Sequence, residues 1–492
     1  MSFEAMLAVR AFELGRAQRT ALHRHRALAR DPIAIIAFEL GAEPYVVGSI
    51  ALGRQREQAR VFVPGQPIDR RLLFHSLTGF ARDFCAAFES HARAELESVQ
   101  HRGTELEIPV DLPQVIVPNE QTINLLYRLG RRLAYLHTDG PTPADPSLPR
   151  LGRHLMWLTR YARTPGQQLL LPMSQFLRQH YATSMSSYEA GSLAALEAWI
   201  DPPAGSTGAQ AAAVAEQSVV GPALSPQDAQ EVSRLMEIFD DRRQRSIEPE
   251  VYEPLLGALR NFYSARTDRT WQLLWNAVDR ERQIPPARSV VRRERSDRIA
   301  YAGHMAWMSG GAEGRIRARP HLRSNIIEKR RLEDAKAMLE AEEAIDDPIR
   351  MVPQIVQGIA LAGEVLASNV QRRERINNRN LLRPSVTVRT TELCPMPLGS
   401  PLWWTDAAAE SEWQVDAVAP AGSGSDVTLV LQTNRRLRAA FPARGQRVCF
   451  TQRGLPDAFE PSLPRNVPWT HRAPEVALDD LDPPDAANVA AA

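Results

Sequence analysis

The chain has 492 residues and a mass of 54.9 kDa, which suggests about three domains at roughly 150 residues each. Its 44% hydrophobic and 24% charged residues provide enough apolar material for packed cores, which excludes a wholly disordered or fibrous protein. The formal net charge of +1 argues against a globally basic, histone-like protein.

Lysine usage excludes several classes of nucleotide- and cofactor-dependent enzyme. Of the 59 basic residues, only Lys329 and Lys336 are lysine. Neither lies in a P-loop motif or in the lysine motif of protein kinases, and both belong to a charged helical face that does not suit a Schiff-base lysine. We therefore expect no P-loop ATPase, kinase or PLP enzyme. We also expect no cofactor and no metal, except Mg²⁺ if the chain is a nuclease.

Cysteine usage and hydropathy indicate where the protein resides. Three cysteines without a C-x-x-C pair are typical of reduced intracellular thiols. No secretory signal is recognisable, and the longest apolar stretch, 351–370, carries too many polar residues for a membrane span. We predict a soluble cytoplasmic protein that does not bind a membrane.

The first 138 residues are predicted to form an α/β domain. The predicted elements are, in order, strands at 32–38, 45–52 and 60–65, a helix at 69–100, a strand at 105–117 and a helix at 118–137. This order, β-β-β-α-β-α, is similar to the opening of RNase H-like nucleases.

The resemblance implies a place for catalytic carboxylates. RNase H-like nucleases need Asp-x-Glu near the end of the first strand to hold Mg²⁺ through oxygen ligands. The corresponding residues here are 39–41, Glu-Leu-Gly. A longer glutamate therefore stands in place of the motif's aspartate, and a glycine stands in place of its glutamate. Glu39, Glu43 and Asp111 are the candidate catalytic residues of an active nuclease. A catalytically inactive relative and another type of α/β domain are the alternatives.

The rest of the chain is predicted to be mainly helical, with a change of class near its end. The predicted segments are a helical segment at 151–200, a flexible linker at 201–226, a helical domain at 227–380, a small β domain at 385–455 and an acidic, disordered tail at 456–492. Apolar residues spaced three and four apart between 349 and 370 predict a helix with a packing seam. The expected fold class is thus a mainly α multidomain protein with an N-terminal α/β unit and a C-terminal small β-barrel or sandwich.

The strongest local charge lies between 280 and 332. This segment carries fourteen cationic and five anionic side chains, for a net charge of +9. Arginine donates bidentate hydrogen bonds to phosphate and stacks on bases. The candidate nucleic-acid contacts are Arg288, Arg292, Arg293, Arg295, Arg298, Arg315, Arg317, Arg319, Arg323 and Trp307.

These observations lead to one preferred function and two alternatives. We predict a non-catalytic, nucleic-acid-associated accessory subunit of a bacterial DNA-processing or defence complex. The first alternative is a divalent-metal nuclease that uses the N-terminal carboxylates. The second is a protein-interaction scaffold, in which the basic segment 280–332 or the predicted 349–370 helix binds a protein partner.

Overall fold

The structure, a computed structural model, describes residues 3–40, 43–56, 59–64, 70–101, 103–139, 143–186, 189–217, 219–245, 249–309, 322–407, 412–432 and 441–452. The helices are α1 (Phe3–Leu14), α2 (Arg70–Glu89), α3 (Glu120–Leu133), α4 (Ser147–Tyr161), α5 (Met173–His180), α6 (Leu193–Ile200), α7 (Gly208–Ala215), α8 (Pro226–Arg245), α9 (Pro249–Arg282), α10 (Val290–Ser309), α11 (Leu322–Asp346) and α12 (Pro348–Val356).

Two groups of strands lie before and after the long helices. The first group is β1 (Gln18–Arg19), β2 (Ile33–Leu40), β3 (Glu43–Gly53), β4 (Arg60–Phe62), β5 (Leu96–His101), β6 (Thr104–Pro109), β7 (Val115–Val117), β8 (Leu170–Pro172) and β9 (Tyr181–Ala182). The second group is β10 (Ala360–Asn369), β11 (Arg373–Ile376), β12 (Arg379–Leu382), β13 (Ser385–Thr390), β14 (Pro401–Trp404), β15 (Glu412–Ala421), β16 (Gly424–Leu431) and β17 (Arg447–Thr451). The predicted mainly helical fold with a sheet at one end and a β-barrel at the other is confirmed.

The N-terminal unit is built on a mixed five-stranded sheet in the order β4-β3-β2-β7-β8. Strand β3 runs antiparallel to β2 and β4, whereas β7 is parallel to both β2 and β8. The last strand, β8, comes from the segment 151–200, for which we predicted helices and no strand. The sequence did not predict this edge strand because a fully apolar three-residue strand gives almost no periodic signal.

Helices cover both faces of this sheet. Along β2, Ile33, Ile35 and Ala37 contact one apolar core, while residues 34, 36 and 38 contact the other. Because successive side chains of a strand point to opposite faces, a strand buried on both sides is a continuous apolar run. Helices α2, α3 and α4 supply the first core, and α5, α6, α8 and α9 supply the second. Helices α8 and α9, which follow residue 226, therefore pack on the N-terminal sheet.

The segment 201–226, which we predicted to be a flexible linker, is folded along part of its length. It contains α7, which begins with a capping box between Thr207 and Gln210. Further on, the Gly221 carbonyl accepts a hydrogen bond from Asn119, and the Glu39 N–H donates to the Pro222 carbonyl. These contacts attach the segment to the ends of the sheet strands. Flexibility of the remaining residues stays a prediction.

The predicted helix across 349–370 is wrong. Helix α12 ends at Val356, and β10 begins at Ala360. Between them Gly358 has a φ of +72°, a left-handed conformation that commonly ends helices and that glycine adopts without a Cβ penalty. The apolar residues with three-and-four spacing thus belong partly to a short helix and partly to a strand. There is consequently no 349–370 helix to bind a protein partner. The β domain also begins about 25 residues earlier than we predicted.

Strands β10, β13, β16, β15, β14 and β17 close a six-stranded antiparallel barrel in that order. Its interior holds Trp404 and Trp413, whose rings contact Phe450 at centroid distances of 6.5 and 5.5 Å. Trp403, the neighbour of Trp404 in the chain, is half-buried. The tail at 456–492 lies outside the described residues.

A buried polar cluster joins the N-terminal segment to the later helices. Asp347, the N-cap of α12, accepts hydrogen bonds from the Leu22 and His23 backbone N–H groups at 2.5 and 2.8 Å. The ring of His25 lies 3.6 Å from the same carboxylate oxygen, and both side chains are fully buried. This cluster fixes the chain between β1 and β2 against the junction of α11 and α12.

No helix in the described part of the chain is both long and apolar enough to cross a bilayer.

Candidate nucleic-acid interface

The structure places the described basic-segment arginines mainly in internal contacts. The guanidinium of Arg288 lies 3.4 Å from an Asp346 carboxylate oxygen and donates to the Thr405 carbonyl at 3.3 Å. Arg298 lies 2.6 Å from Glu97 and also donates to the backbone carbonyls of the last residue of β6 and of the residue after it. Arg298 therefore joins α10, and Arg288 joins the turn just before it, to distant parts of the fold.

Arg292 and Arg293 pair with one buried carboxylate, Glu342 of α11. Arg293 also donates to the His25 carbonyl at 2.7 Å, and burial lowers the pKa of its guanidinium to about 10. A phosphate would have to displace these partners to bind here. The arginine pair is therefore better suited to holding α10 and α11 together.

The other candidates of this segment differ in what the structure shows of them. Arg295 is exposed on α10. Trp307 is 40% exposed, and its ring lies over His304 at 6.0 Å between centroids. Arg315, Arg317 and Arg319 lie outside the described residues, as does the side chain of Arg323.

The candidate carboxylates do not converge in the described residues. Glu39 is half-buried near the end of β2, Asp111 is exposed in the loop before β7, and the side chain of Glu43 lies outside the described part. Asn119, which follows β7, accepts a hydrogen bond from the Thr122 N–H as the N-cap of α3. Within the described ranges, no Asp or Glu of this edge belongs to a group of three or more potential metal ligands.

A basic hairpin projects from the barrel between β10 and β13. We call residues 372–383 the arginine hairpin; it comprises β11, β12 and the turn that joins them. The turn residues, Asn377 and Asn378, have φ values of +49° and +60°, as in the type I′ turns that match the twist of two-residue hairpins. Five arginines and one glutamate give the hairpin a net charge of +4.

Two of the five arginines attach the hairpin to the barrel. Arg372 lies 3.1 Å from a carboxylate oxygen of Asp416 on β15. Arg383 donates to the Gln432 carbonyl at 2.7 Å and to its side chain. Because both anchors lie at the base, they orient the hairpin and leave its tip free.

The other three arginines are exposed, and none forms an ion pair with another described residue. Arg373 and Arg375 share one face with Asn380, which pairs directly with Arg375; residues opposite each other in a hairpin lie on the same face. Arg379 lies on the other face, opposite Ile376. The tip therefore presents guanidinium groups on both faces and an exposed amide on one.

Sequence reasoning missed this hairpin although its turn leaves a signal. Consecutive asparagines between two short runs favour a two-residue hairpin turn. The apolar spacing upstream predicted a helix over 349–370, and the turn fell inside the helical domain predicted at 227–380, so no hairpin was predicted there.

No protein-family model, curated protein or solved structure matches the chain. Its function must be inferred from the chemistry of its own residues.

Proposed function

We propose that the protein binds double-stranded DNA through the arginine hairpin and acts as a non-catalytic accessory subunit. The observation that carries this proposal is the exposure of Arg373, Arg375 and Arg379 on a projecting hairpin, without acidic partners in the described residues. Arginine is permanently charged, and it donates bidentate hydrogen bonds to phosphate. An anionic polymer is the partner that such a surface fits best.

The shape and composition of the hairpin favour a B-form duplex. The major groove of B-DNA admits a two-stranded β-ribbon, and arginine and asparagine there hydrogen-bond to the edges of guanine and adenine. The corresponding groove of an RNA helix is too deep and narrow for side chains to enter. The hairpin has no aromatic residue, whereas proteins that bind single strands stack bases on aromatic rings.

The N-terminal unit supports the non-catalytic part of the proposal. Its strand order, with one antiparallel strand beside the central one, is similar to that of RNase H-like sheets, and we propose on this basis that the unit is an inactive member of that fold. Asn119 lies two residues after β7, and its amide is used in three structural hydrogen bonds. A bacterial DNA-processing or defence complex remains the proposed setting.

Binding to DNA should depend on the tip of the hairpin. We expect replacement of Arg373, Arg375 and Arg379 by alanine to weaken binding of a short fluorescent duplex by about 10- to 100-fold at moderate salt, because three phosphate or base contacts are lost. Fluorescence anisotropy measures the affinity. A single strand of the same sequence should bind more weakly than the duplex.

A charge-matched control separates the hairpin from general basicity. Alanine at Arg128, Arg131 and Arg132, which are exposed on α3, removes the same charge at another surface and should change the affinity by less than about three-fold. Equal losses in both variants would show non-specific attraction. Absence of duplex binding by the wild-type protein would overturn the proposed function.

The purified protein should not cleave DNA or RNA when Mg²⁺ or Mn²⁺ is added, because among the described residues Glu39 belongs to no group of three or more potential metal ligands. Gel analysis of labelled substrates measures this. Metal-dependent cleavage that disappears in Glu39→Gln would show that the chain is a nuclease.

A further inference from the structure

A buried group of potential metal ligands lies between α2 and α4, away from the arginine hairpin. Cys85 and Glu89 are one helical turn apart on α2, so both side chains emerge on the same face. His154 approaches them from α4. The sulfur, a carboxylate oxygen and a ring nitrogen of these residues lie within 4.8 Å of one another, and all three residues are buried.

The ring of His154 is held with one nitrogen toward this group. Its Nε2 lies 2.9 Å from Glu89 Oε1, while its Nδ1 lies 2.9 Å from His304 Nε2. The ring of Trp157 stacks on His304 at 4.1 Å, with 3° between the planes. A second polar group on the far nitrogen is how proteins orient metal-binding histidines. Burial lowers the pKa of both imidazoles.

A cavity reaches one member of this group, Glu89. It has a volume of about 350 Å³ and is lined by Glu89, Arg150, Tyr301 and Met305, among others. Through it an ion could reach Glu89 without unfolding the helices. A water molecule in the cavity could also complete a coordination shell that the protein leaves open.

Arg150 is the natural competitor for a metal ion at this position. Its Nε donates a short hydrogen bond to Glu89 Oε1, and its side chain is 38% exposed. In the metal-free protein this cation balances the buried carboxylate. A bound divalent ion would balance the carboxylate and a Cys85 thiolate instead, with the thiol proton released to solvent and Arg150 free to turn toward the cavity.

We propose that Cys85, Glu89 and His154 bind a single Zn²⁺ ion, with water as the fourth ligand. A thiolate and an imidazole favour zinc over Mg²⁺ or Ca²⁺, which prefer oxygen ligands. Three protein ligands with one open position form the arrangement found at reactive rather than closed zinc sites. The site is independent of DNA binding, so either proposal can fail alone.

Cobalt substitution tests the site directly. The metal-free protein titrated with Co²⁺ should develop tetrahedral ligand-field bands and a thiolate-to-cobalt charge-transfer band that saturate at one ion per chain. Zn²⁺ should displace the cobalt and abolish the bands. A wild-type protein without the charge-transfer band would overturn the proposal, whatever the variants do.

Variants distinguish a zinc site from a purely structural ion-pair network. Cys85→Ser should remove the charge-transfer band, whereas Cys449→Ser, at a cysteine of the barrel, should keep it. His304→Gln should weaken cobalt binding by about 10- to 100-fold through misorientation of His154. Arg150→Gln removes the competing cation and should bind cobalt at least as tightly as the wild type. Retention of the band in Cys85→Ser, or its loss in Arg150→Gln with circular dichroism unchanged, would contradict the proposed ligand set.

Discussion

Asp347→Ala is expected to lower the free energy of unfolding by about 3–5 kcal/mol, the usual cost of removing one partner from a buried charged network. The carboxylate is fully buried and accepts hydrogen bonds from the backbone N–H groups of Leu22, His23 and Ile349. In the variant these donors lose their acceptor without gaining water. Chemical denaturation of both proteins at neutral pH measures the difference.

The pH dependence of this loss follows from the pKa of Asp347. Burial alone would raise that pKa, but the nearby His25 ring and the backbone donors hold it below its ordinary value. A carboxyl group with a lowered folded-state pKa stabilises the protein above its unfolded pKa, about 3.9, and stops doing so as the pH falls through the folded value. The difference in stability between wild type and Asp347→Ala should therefore be full at pH 5–7 and shrink below about pH 4.

An exposed carboxylate of the preceding helix provides the control. Asp334→Ala on α11 should change the free energy of unfolding by no more than about 0.5 kcal/mol. A similarly small effect of Asp347→Ala would show that the N-terminal segment is not held by this carboxylate.

Gly152→Ala should lower the free energy of unfolding by about 2 kcal/mol, because an added methyl group overpacks the contact between α3 and α4. A Cβ at this position would lie 2.3 Å from the backbone nitrogen of Ala134 and 2.7 Å from its Cα. These are backbone atoms that cannot rotate away, so the helices must separate. The higher helix propensity of alanine, up to about 1 kcal/mol, offsets only part of that cost.

A glycine-to-alanine substitution at a position with space for the added methyl group should instead stabilise the protein. Gly257 lies within α9, and a Cβ there would have no atom within 4 Å, so Gly257→Ala should raise the free energy of unfolding by up to about 1 kcal/mol. Equal stabilisation by both substitutions would contradict the close approach of α3 and α4. Thermal and chemical unfolding of the two variants provide the measurement.

Local sequence patterns were sufficient to predict those strands whose side chains are buried in an apolar core. The apolar run at 32–38 predicted the central strand because β2 is covered on both sides, and short segments separated by turn residues after 385 predicted strands of the barrel. The predicted helix over 349–370 failed at one residue. Gly358 ends the helix through its backbone conformation, and apolar spacing carries no information about φ.

The candidate sites depended on contacts between residues that are distant in the chain. In the sequence, the arginines of the basic segment 280–332 have no obvious ion-pair partners. Their acidic partners, such as Glu97 and Glu342, lie at least 49 residues away along the chain. Similarly, Cys85 and Glu89 are recognisable as one helical face, but their partner His154 is brought to them only by the packing of α4 on α2. Spacing alone cannot supply such pairings.

The dependence of DNA affinity on salt tests most directly whether the arginine hairpin contacts the duplex. The slope of log affinity against log salt concentration counts neutralised phosphates, at about 0.9 per phosphate for B-DNA. We expect alanine at Arg373, Arg375 and Arg379 to make that slope shallower by about 2–3, and the control variant on α3 to leave it unchanged. An identical slope for wild type and the hairpin variant would show that DNA binding, if present, occurs elsewhere on the protein.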